Sequence, residues 1–166
     1  FYDVQNQTQL WSYDTESSRQ LSKVDISLHG EYIVVAELYA IDDDARVWLF
    51  DKELTSDSPI WIYETEHQRF LDVAISADGS TIVFSAYAGD DGNRVHVLGN
   101  DSETPIWINN QYQASRGASV AVSADGSYIA THGVGNDREI ISYYSIDSST
   151  PIWKRNIGGE HGSSGD

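Results

Sequence analysis

Four of the five tryptophans recur at nearly constant intervals along this chain of 166 residues. Trp11, Trp61, Trp107 and Trp153 are spaced 50, 46 and 46 residues apart, and each of the last three closes a Pro-Ile-Trp tripeptide. A second phrase recurs out of step with the first, as Ser27-Leu28-His29-Gly30, Ser76-Ala77-Asp78-Gly79 and Ser123-Ala124-Asp125-Gly126. A period of roughly 40 to 50 residues, made of short strands and turn residues, is typical of a β-propeller blade.

Each repeat predicts four short antiparallel strands joined by polar turns. In the third repeat the strands are expected at 118–123, 128–132, 139–146 and 152–157, where β-branched and aromatic residues alternate between Gly, Asp and Ser clusters. The sequence therefore predicts an all-β propeller of about three and a half blades, an incomplete ring. Its predicted parts are the outer half of a blade (1–15), three whole blades (16–66, 67–113 and 114–157) and a flexible tail or linker (158–166).

The repeated tryptophans are interpreted as core residues of the outer strands. We expect Trp61, Trp107 and Trp153 to be mostly buried against their own blade and the neighbouring one. On the inner strands, Lys23 and Asp72 occupy equivalent positions of adjacent blades. Because a lone charge near a narrow axis is costly, these two side chains are expected to form an ion pair or share a water.

Composition excludes several classes of function. The chain has no cysteine, which excludes disulfides, thiolate metal sites and cysteine nucleophiles. With 26 acidic and 10 basic residues its net charge is −16, which argues against a nucleic-acid partner held by a basic patch. Because no apolar run approaches the roughly 18 residues of a membrane span, no membrane insertion is expected.

Acidic turns are the best candidate for a metal site. Asp42, Asp43 and Asp44 lie in the turn after the second strand of the first blade, and Asp90 and Asp91 lie in the equivalent turn of the second. Carboxylates on a turn can ligate calcium, which takes six to eight oxygens. The spacing does not match an EF-hand, and ordinary polar β-turns explain the same residues. Calcium is thus a possible ligand, and no other cofactor is predicted.

No catalytic motif stands out in the sequence. The five histidines are scattered, without metal-site spacing, and are interpreted as surface residues of turns or strands: His29, His67, His96, His132 and His161. No serine lies in a Gly-x-Ser-x-Gly elbow, and no glycine-rich phosphate loop precedes a helix. The sequence therefore predicts a protein that is not an enzyme.

Two segments resemble the inner hairpin of WD-repeat propellers, Val73 to Ser80 and Val120 to Ser127. The strand-end pairs Phe50-Asp51 and Tyr2-Asp3 resemble that family's Trp-Asp dipeptide. The Thr-Pro-Ile-Trp phrase is instead similar to the outer strand of propeller repeats in pyrroloquinoline-quinone enzymes. The Gly-His pair and the Trp-Asp dipeptide of a WD repeat are themselves absent. The resemblance implies a propeller fold, which hosts many functions.

We interpret the chain as a non-enzymatic binding or scaffold module, part of a larger secreted or cell-surface protein. A protein or glycan partner is expected at the mouth, the rim formed by the turns between second and third strands and by the links between blades. Arg69 and Arg116 stand at equivalent positions near this rim and are the predicted contact pair, together with Tyr112 and His67. Both arginines can equally pair with local aspartates.

Other partners and a second function remain open. Further blades of the same protein, or a second chain, are expected to cover the unpaired ends of the stack. The alternative function is a fragment of a propeller enzyme, such as a quinone-dependent dehydrogenase. Two glycosylation sequons begin at Asn6 and Asn100, each in a turn before an outer strand, and support an extracellular or cell-surface location.

Overall fold

The computed structural model describes residues 2–3, 5–14, 20–39, 44–53, 58–66, 68–89, 92–112, 116–135 and 138–157. These residues form one two-stranded and three four-stranded antiparallel sheets. The strands are β1 (Tyr2–Asp3), β2 (Thr8–Gln9), β3 (Gln20–Ile26), β4 (Tyr32–Tyr39), β5 (Asp44–Asp51), β6 (Trp61–Glu66), β7 (Arg69–Ile75), β8 (Thr81–Tyr87), β9 (Asn93–Gly99), β10 (Pro105–Tyr112), β11 (Arg116–Val122), β12 (Tyr128–Gly135), β13 (Arg138–Ser145) and β14 (Trp153–Asn156).

The three four-stranded sheets are propeller blades. We call β3–β6 the first blade, β7–β10 the second and β11–β14 the third, and the β1–β2 hairpin the half-blade. Within each blade the strands pair in chain order, and the inner strands β3, β7 and β11 lie side by side. This arrangement confirms the predicted all-β propeller fold, and the blades do not close into a ring. Among the described residues, no helix is long and apolar enough to cross a membrane.

In the second and third blades the turn between the first two strands is built by the repeated Ser-x-Asp-Gly phrase. In the second blade the Asp78 carboxylate accepts hydrogen bonds from the Ser76 hydroxyl at 2.5 Å and from the Ser80 amide at 3.0 Å. These bonds lower the pKa of Asp78, and equivalent bonds from Ser123 and Ser127 lower that of Asp125. The turn is thus fixed by its own side chains.

The apolar core lies between blades rather than within them. The first and second blades enclose one cluster, which includes Val34, Leu49, Trp61, Phe70 and Phe84. The second and third blades enclose another, which includes Val83, Val97, Val120, Ile129 and Tyr144. Because side chains alternate across a strand, a blade has one face towards the blade before it and one towards the blade after it, and the second blade buries both. We call these its incoming and outgoing faces.

Aspartates connect the inner strands across blades. Ile75 donates its amide to the Asp25 carboxylate at 2.9 Å, and Val120 donates to Asp72 at 3.1 Å. Lys23 Nζ lies 3.8 Å from Asp72 Oδ1, which confirms the predicted ion pair. Each carboxylate therefore satisfies an inner-strand amide of the next blade, at an edge that would otherwise present unpaired groups.

His96 is not the surface residue that the sequence analysis predicts. It lies on β9 and is 1% exposed, stacked on Phe84 at a ring distance of 4.8 Å. Its Nδ1 is 3.1 Å from the Tyr63 hydroxyl of the first blade. The prediction is wrong because the alternation of β9 turns position 96 into the interface between blades, where a flat ring packs as an aromatic residue would.

Candidate binding surfaces

Arg69 and Arg116, the predicted contact pair, are the first residues of β7 and β11. Arg69 pairs with Tyr87 and Arg116 with Val134, which are equivalent positions of the two blades. The Arg69 side chain is exposed. Since the inner strands lie side by side, the two arginine backbones stand at the same end of adjacent blades. Their role in binding stays a prediction.

The other predicted mouth residues are less completely described. Tyr112 ends β10, and its backbone pairs with Asn93. His67 lies outside the described residues, in the link between β6 and β7. The contribution of both residues to a binding site therefore stays a prediction.

The predicted calcium ligands fall mainly outside the described residues. This holds for Asp42, Asp43, Asp90 and Asp91, whereas Asp44 begins β5 with its backbone opposite Glu66. Within the part of the chain that the structure describes, no three His, Asp or Glu side chains cluster closely enough to hold a metal ion. A calcium site at these turns stays a prediction.

The two sequon asparagines differ in their surroundings. Asn6 is exposed in the turn between β1 and β2. Asn100 is half-buried after β9, and its backbone N–H donates to the Ser80 carbonyl at 3.2 Å. Asn6 therefore offers the more open site for a glycan, and glycosylation at either residue stays a prediction.

The repeated tryptophans make one recurrent contact between blades. In each instance the indole N–H donates to a backbone carbonyl just after the third strand of the next blade. The three bonds are Trp11 to Lys52 at 2.8 Å, Trp61 to Asn100 at 3.2 Å and Trp107 to Ile146 at 2.6 Å. Each bond satisfies the polar end of a large apolar ring, which lets the ring pack at the interface.

The burial of these tryptophans follows the presence of a next blade. Trp61 is 5% exposed, which confirms its prediction, and Trp107 is half-buried. Trp153 is 42% exposed, so the prediction that it is mostly buried is wrong. Its indole lies on the outgoing face of the third blade, where no described residue forms a further blade.

An aromatic stack covers part of this outgoing face. The Tyr128 and Tyr143 rings stack at 5.4 Å, and Tyr143 stacks on Trp153 at 5.4 Å. In the first blade the residue equivalent to Tyr143 is Leu49, which is fully buried against the second blade. The stack is therefore an interface surface without a partner in the described structure, and such exposed apolar patches commonly mark docking sites.

The incoming face of the first blade is also partly open. Trp11 and Tyr13 follow the half-blade and pack on Phe50 at ring distances of 5.6 and 5.1 Å. Beside them a groove of about 510 Å³ exposes inner-strand residues, and Val24 is 68% exposed. Val73, its equivalent in the second blade, is buried. The groove lies where the two inner strands of the half-blade would pack.

Comparison with known proteins supports the fold and leaves the function open. No protein-family model matches the chain. No curated protein sequence matches it either. A chain of the crystal structure of a mitotic checkpoint complex is similar, with a TM-score of 0.65 and 16% identity over 93% of this chain and 44% of that one.

The C-terminal WD40 domain of Sif2 is also similar, with a TM-score of 0.57 and 18% identity over 92% of this chain and 38% of that one. The chain thus spans less than half the length of both structures. These likenesses show a WD-repeat-like propeller fold. The further resemblance to quinone-enzyme repeats stays a prediction.

Proposed function

We propose that this WD-repeat-like stack of blades is a non-enzymatic binding or scaffold module within a larger propeller. The observation that carries the proposal is that the recurrent side chains are engaged in structure. The tryptophans and aspartates connect blades, and the serines and aspartates of the turns bond to each other. The links between blades at the rim differ in sequence, and a scaffold can carry recognition there.

The buried histidine supports the same proposal. Burial lowers the pKa of His96 to about 3, which keeps the imidazole neutral near pH 7. A general base works best when its pKa lies near the operating pH. His96 is therefore suited to packing between the blades rather than to proton transfer.

The proposed partner is a protein or glycan that binds at the mouth through Arg69 and Arg116. Two arginines at equivalent positions of adjacent inner strands favour a partner with carboxylate or sulfate groups, since guanidinium groups bind such anions in a bidentate manner. His67, which follows β6 in the sequence, and Tyr112, the last residue of β10, are proposed to contribute further contacts.

Selection from a displayed peptide library tests this proposal. We expect the chain to enrich acidic peptides, and we expect the double variant Arg69→Ala, Arg116→Ala to lose them. Arg155→Ala is a matched control, because Arg155 is exposed on the outer strand β14. Enrichment that is equal for the native chain and the double variant would refute a role for the arginine pair.

A second set of partners is proposed for the two end faces. The aromatic stack and the groove beside Trp11 continue interfaces that are already formed between the three blades. Further blades of the same protein, or of a second chain, would bury both surfaces by repeating the contacts of Trp61 and Trp107.

We also propose a secreted or cell-surface location. The net charge of −16 and the exposed Asn6 sequon support this location. Expression through a eukaryotic secretory pathway should give a chain whose mass falls on N-glycosidase treatment. Asn6→Gln should remove most of that change, and a native chain with no glycan would argue against the proposal.

A further inference from the structure

A cleft of about 420 Å³ opens at the outer edge of the junction between the second and third blades. One wall is β10, and the other is the third blade with the turn 149–151. The lining residues used below are Ile108, Asn109, Asn110, Tyr144, Pro151 and Lys154. This volume lies within the range of roughly 300 to 1,000 Å³ that is usual for ligand pockets.

The cleft lies where the second blade departs from the first. Asn109 follows Trp107 by two residues, as Tyr63 follows Trp61. At the first junction Tyr63 fills the interface, with its ring 5.3 Å from Phe84 and its hydroxyl bonded to His96. The shorter Asn109 side chain leaves the corresponding volume open at the second junction.

The backbone departs from the repeat at the same place. The pairing of β10 with β9 shifts register between Asn109 and Tyr112, whereas β6 pairs with β5 past Tyr63 without a shift. Such bulges re-aim side chains and are common beside functional sites. Asn109 is nearly buried, and its amide nitrogen donates to the Ser149 carbonyl at 2.8 Å and towards the Tyr144 hydroxyl at 3.4 Å. The amide is therefore held in a fixed orientation at the wall of the cleft.

A cation stands at the rim of the cleft. Lys154 occupies the position that Ile62 and Ile108 hold in the other two blades, and its side chain is exposed. On a chain with 26 acidic and 10 basic residues, a lysine in place of isoleucine makes this rim favourable for an anionic group.

We propose that this cleft binds a saccharide residue that carries a carboxylate. The exposed side-chain amide of Asn110 offers both donors and an acceptor, which match sugar hydroxyl groups. Ile108 and Pro151 offer apolar surface to the C–H face of the ring. The carboxylate lies at Lys154. This site is separate from the mouth, so it can fail while the proposed function stands.

Titration of the isotope-labelled chain by NMR tests the site with a matched pair of ligands. The methyl glycosides of glucuronic acid (methyl glucuronide) and of glucose (methyl glucoside) differ only at C6, which is a carboxylate in the first and a hydroxymethyl group in the second. We expect saturable shifts of amides in β10 and β14 with both ligands, and about tenfold tighter binding of the glucuronide, as one charged hydrogen bond would give. No saturable shift, or equal affinity for the two ligands, would overturn the proposal.

Two substitutions restore residues of the other blades. Asn109→Tyr fills the cleft as Tyr63 fills its own junction, and we expect it to abolish binding of both ligands. Lys154→Ile should remove only the preference for the glucuronide. Arg155→Ala should change neither affinity, because alternation along β14 places residue 155 on the opposite face.

Each variant has an outcome that contradicts the proposal. Binding that survives Asn109→Tyr in a chain with a folded amide spectrum would show that the ligand lies elsewhere. Should Asn109→Tyr fail to fold, Lys154→Ile decides alone, because it alters an exposed side chain. A preference for the glucuronide that persists in Lys154→Ile would overturn the assignment of the carboxylate to this rim.

Discussion

The imidazole of His96 shows how a polar ring is used inside an apolar junction. It stacks on Phe84 and is within hydrogen-bonding distance of the Tyr63 hydroxyl, and burial raises the pKa of that phenol. The largest cause of its own lowered pKa is desolvation, followed by the charge of Arg94. A charged imidazolium would lose its hydration here without gaining a counterion.

The titration of His96 predicts a pH dependence of stability. Its pKa falls from an ordinary 6.5 to about 3 on folding, so the unfolded chain binds the extra proton between these values. Above pH 6.5 His96 is neutral in both states, and its contribution to the free energy of unfolding is fully present. As the pH falls from 6.5 towards 3, protonation of the unfolded chain lowers the free energy of unfolding by about 1.4 kcal/mol per pH unit. In urea unfolding between pH 6 and 4.5, the free energy of unfolding should fall less steeply with decreasing pH in His96→Phe than in the native chain. Parallel profiles would contradict this prediction.

Position 96 also shows the limit of the sequence at the residue scale. A histidine between valines on a predicted strand fits a surface position and a buried one equally well. The face that points into an interface depends on the register of β8 and β9, which the hydrophobic pattern of Val95, Val97 and Leu98 does not settle, because all three are buried.

At the scale of the element, the glycine of the turn between the first two strands lies against the preceding blade in the second and third blades. Gly79 has a φ of +74°, and a Cβ there would stand 2.3 Å from the Tyr32 ring. Gly30 has a φ of +70° in the same phrase, but the nearest atom to its Cβ would be Ile26 Cδ1 at 3.6 Å. The two glycines therefore share a backbone requirement and differ only in packing.

Alanine substitutions at Gly30 and Gly79 distinguish the cost of backbone strain from the cost of a steric clash with the Tyr32 ring. Gly30→Ala should cost about 1–2 kcal/mol of unfolding free energy, the penalty of a left-handed residue with a Cβ. Gly79→Ala should cost a further 1–3 kcal/mol or so, because the methyl group overpacks the interface. Chemical denaturation measures both. Equal losses would mean that the Tyr32 ring moves aside without cost.

The outer-strand tryptophans make a second graded series. Trp61→Ala removes a buried indole and should cost about 3–5 kcal/mol. Trp107→Ala should cost less, and Trp153→Ala about 1 kcal/mol, the typical value for a substitution that leaves no cavity. Urea unfolding of the three variants would show this order if burial against a next blade sets the contribution. A Trp153 loss as large as that of Trp61 would contradict it.

The repeat phrases predict the strands and turns of each blade better than they predict what each side chain packs against. Four strands per repeat, the Ser-x-Asp-Gly turns and the Lys23–Asp72 pair follow from local pattern and equal spacing. The burial of Trp153 does not, because it depends on a neighbour rather than on the Pro-Ile-Trp phrase. The sequence analysis does not predict the cleft beside Asn109, although the replacement of the repeat's tyrosine (Tyr63) by Asn109 is its signal in the sequence.

At the scale of the whole molecule, two interface faces and a large negative charge act against each other. The aromatic stack around Tyr143 and the groove beside Trp11 favour association of isolated chains. The net charge of −16 opposes it by mutual repulsion. Added salt screens the repulsion over a Debye length of about 8 Å at physiological ionic strength and leaves the apolar contacts intact.

The isolated chain should therefore associate more strongly as salt is raised. Sedimentation equilibrium at increasing NaCl measures this effect. Trp153→Glu should abolish the association, since it places a charge in the stack. Ile106→Glu, at an exposed position of β10 on the second blade, away from both end faces, is a control that should leave it unchanged. Association that weakens with salt would show that charge pairs, rather than the end faces, hold the chains together.

The indole bonds between blades also bear on how such an array can diverge. Lys52, Asn100 and Ile146 accept these bonds through their main-chain oxygens, and their side chains have nothing in common. A backbone carbonyl is present whichever residue occupies the acceptor position. The contact therefore requires a tryptophan as the donor and places no requirement on the side chain of the acceptor. A duplicated repeat can thus be inserted beside any existing one and then drift, provided that its tryptophan is kept.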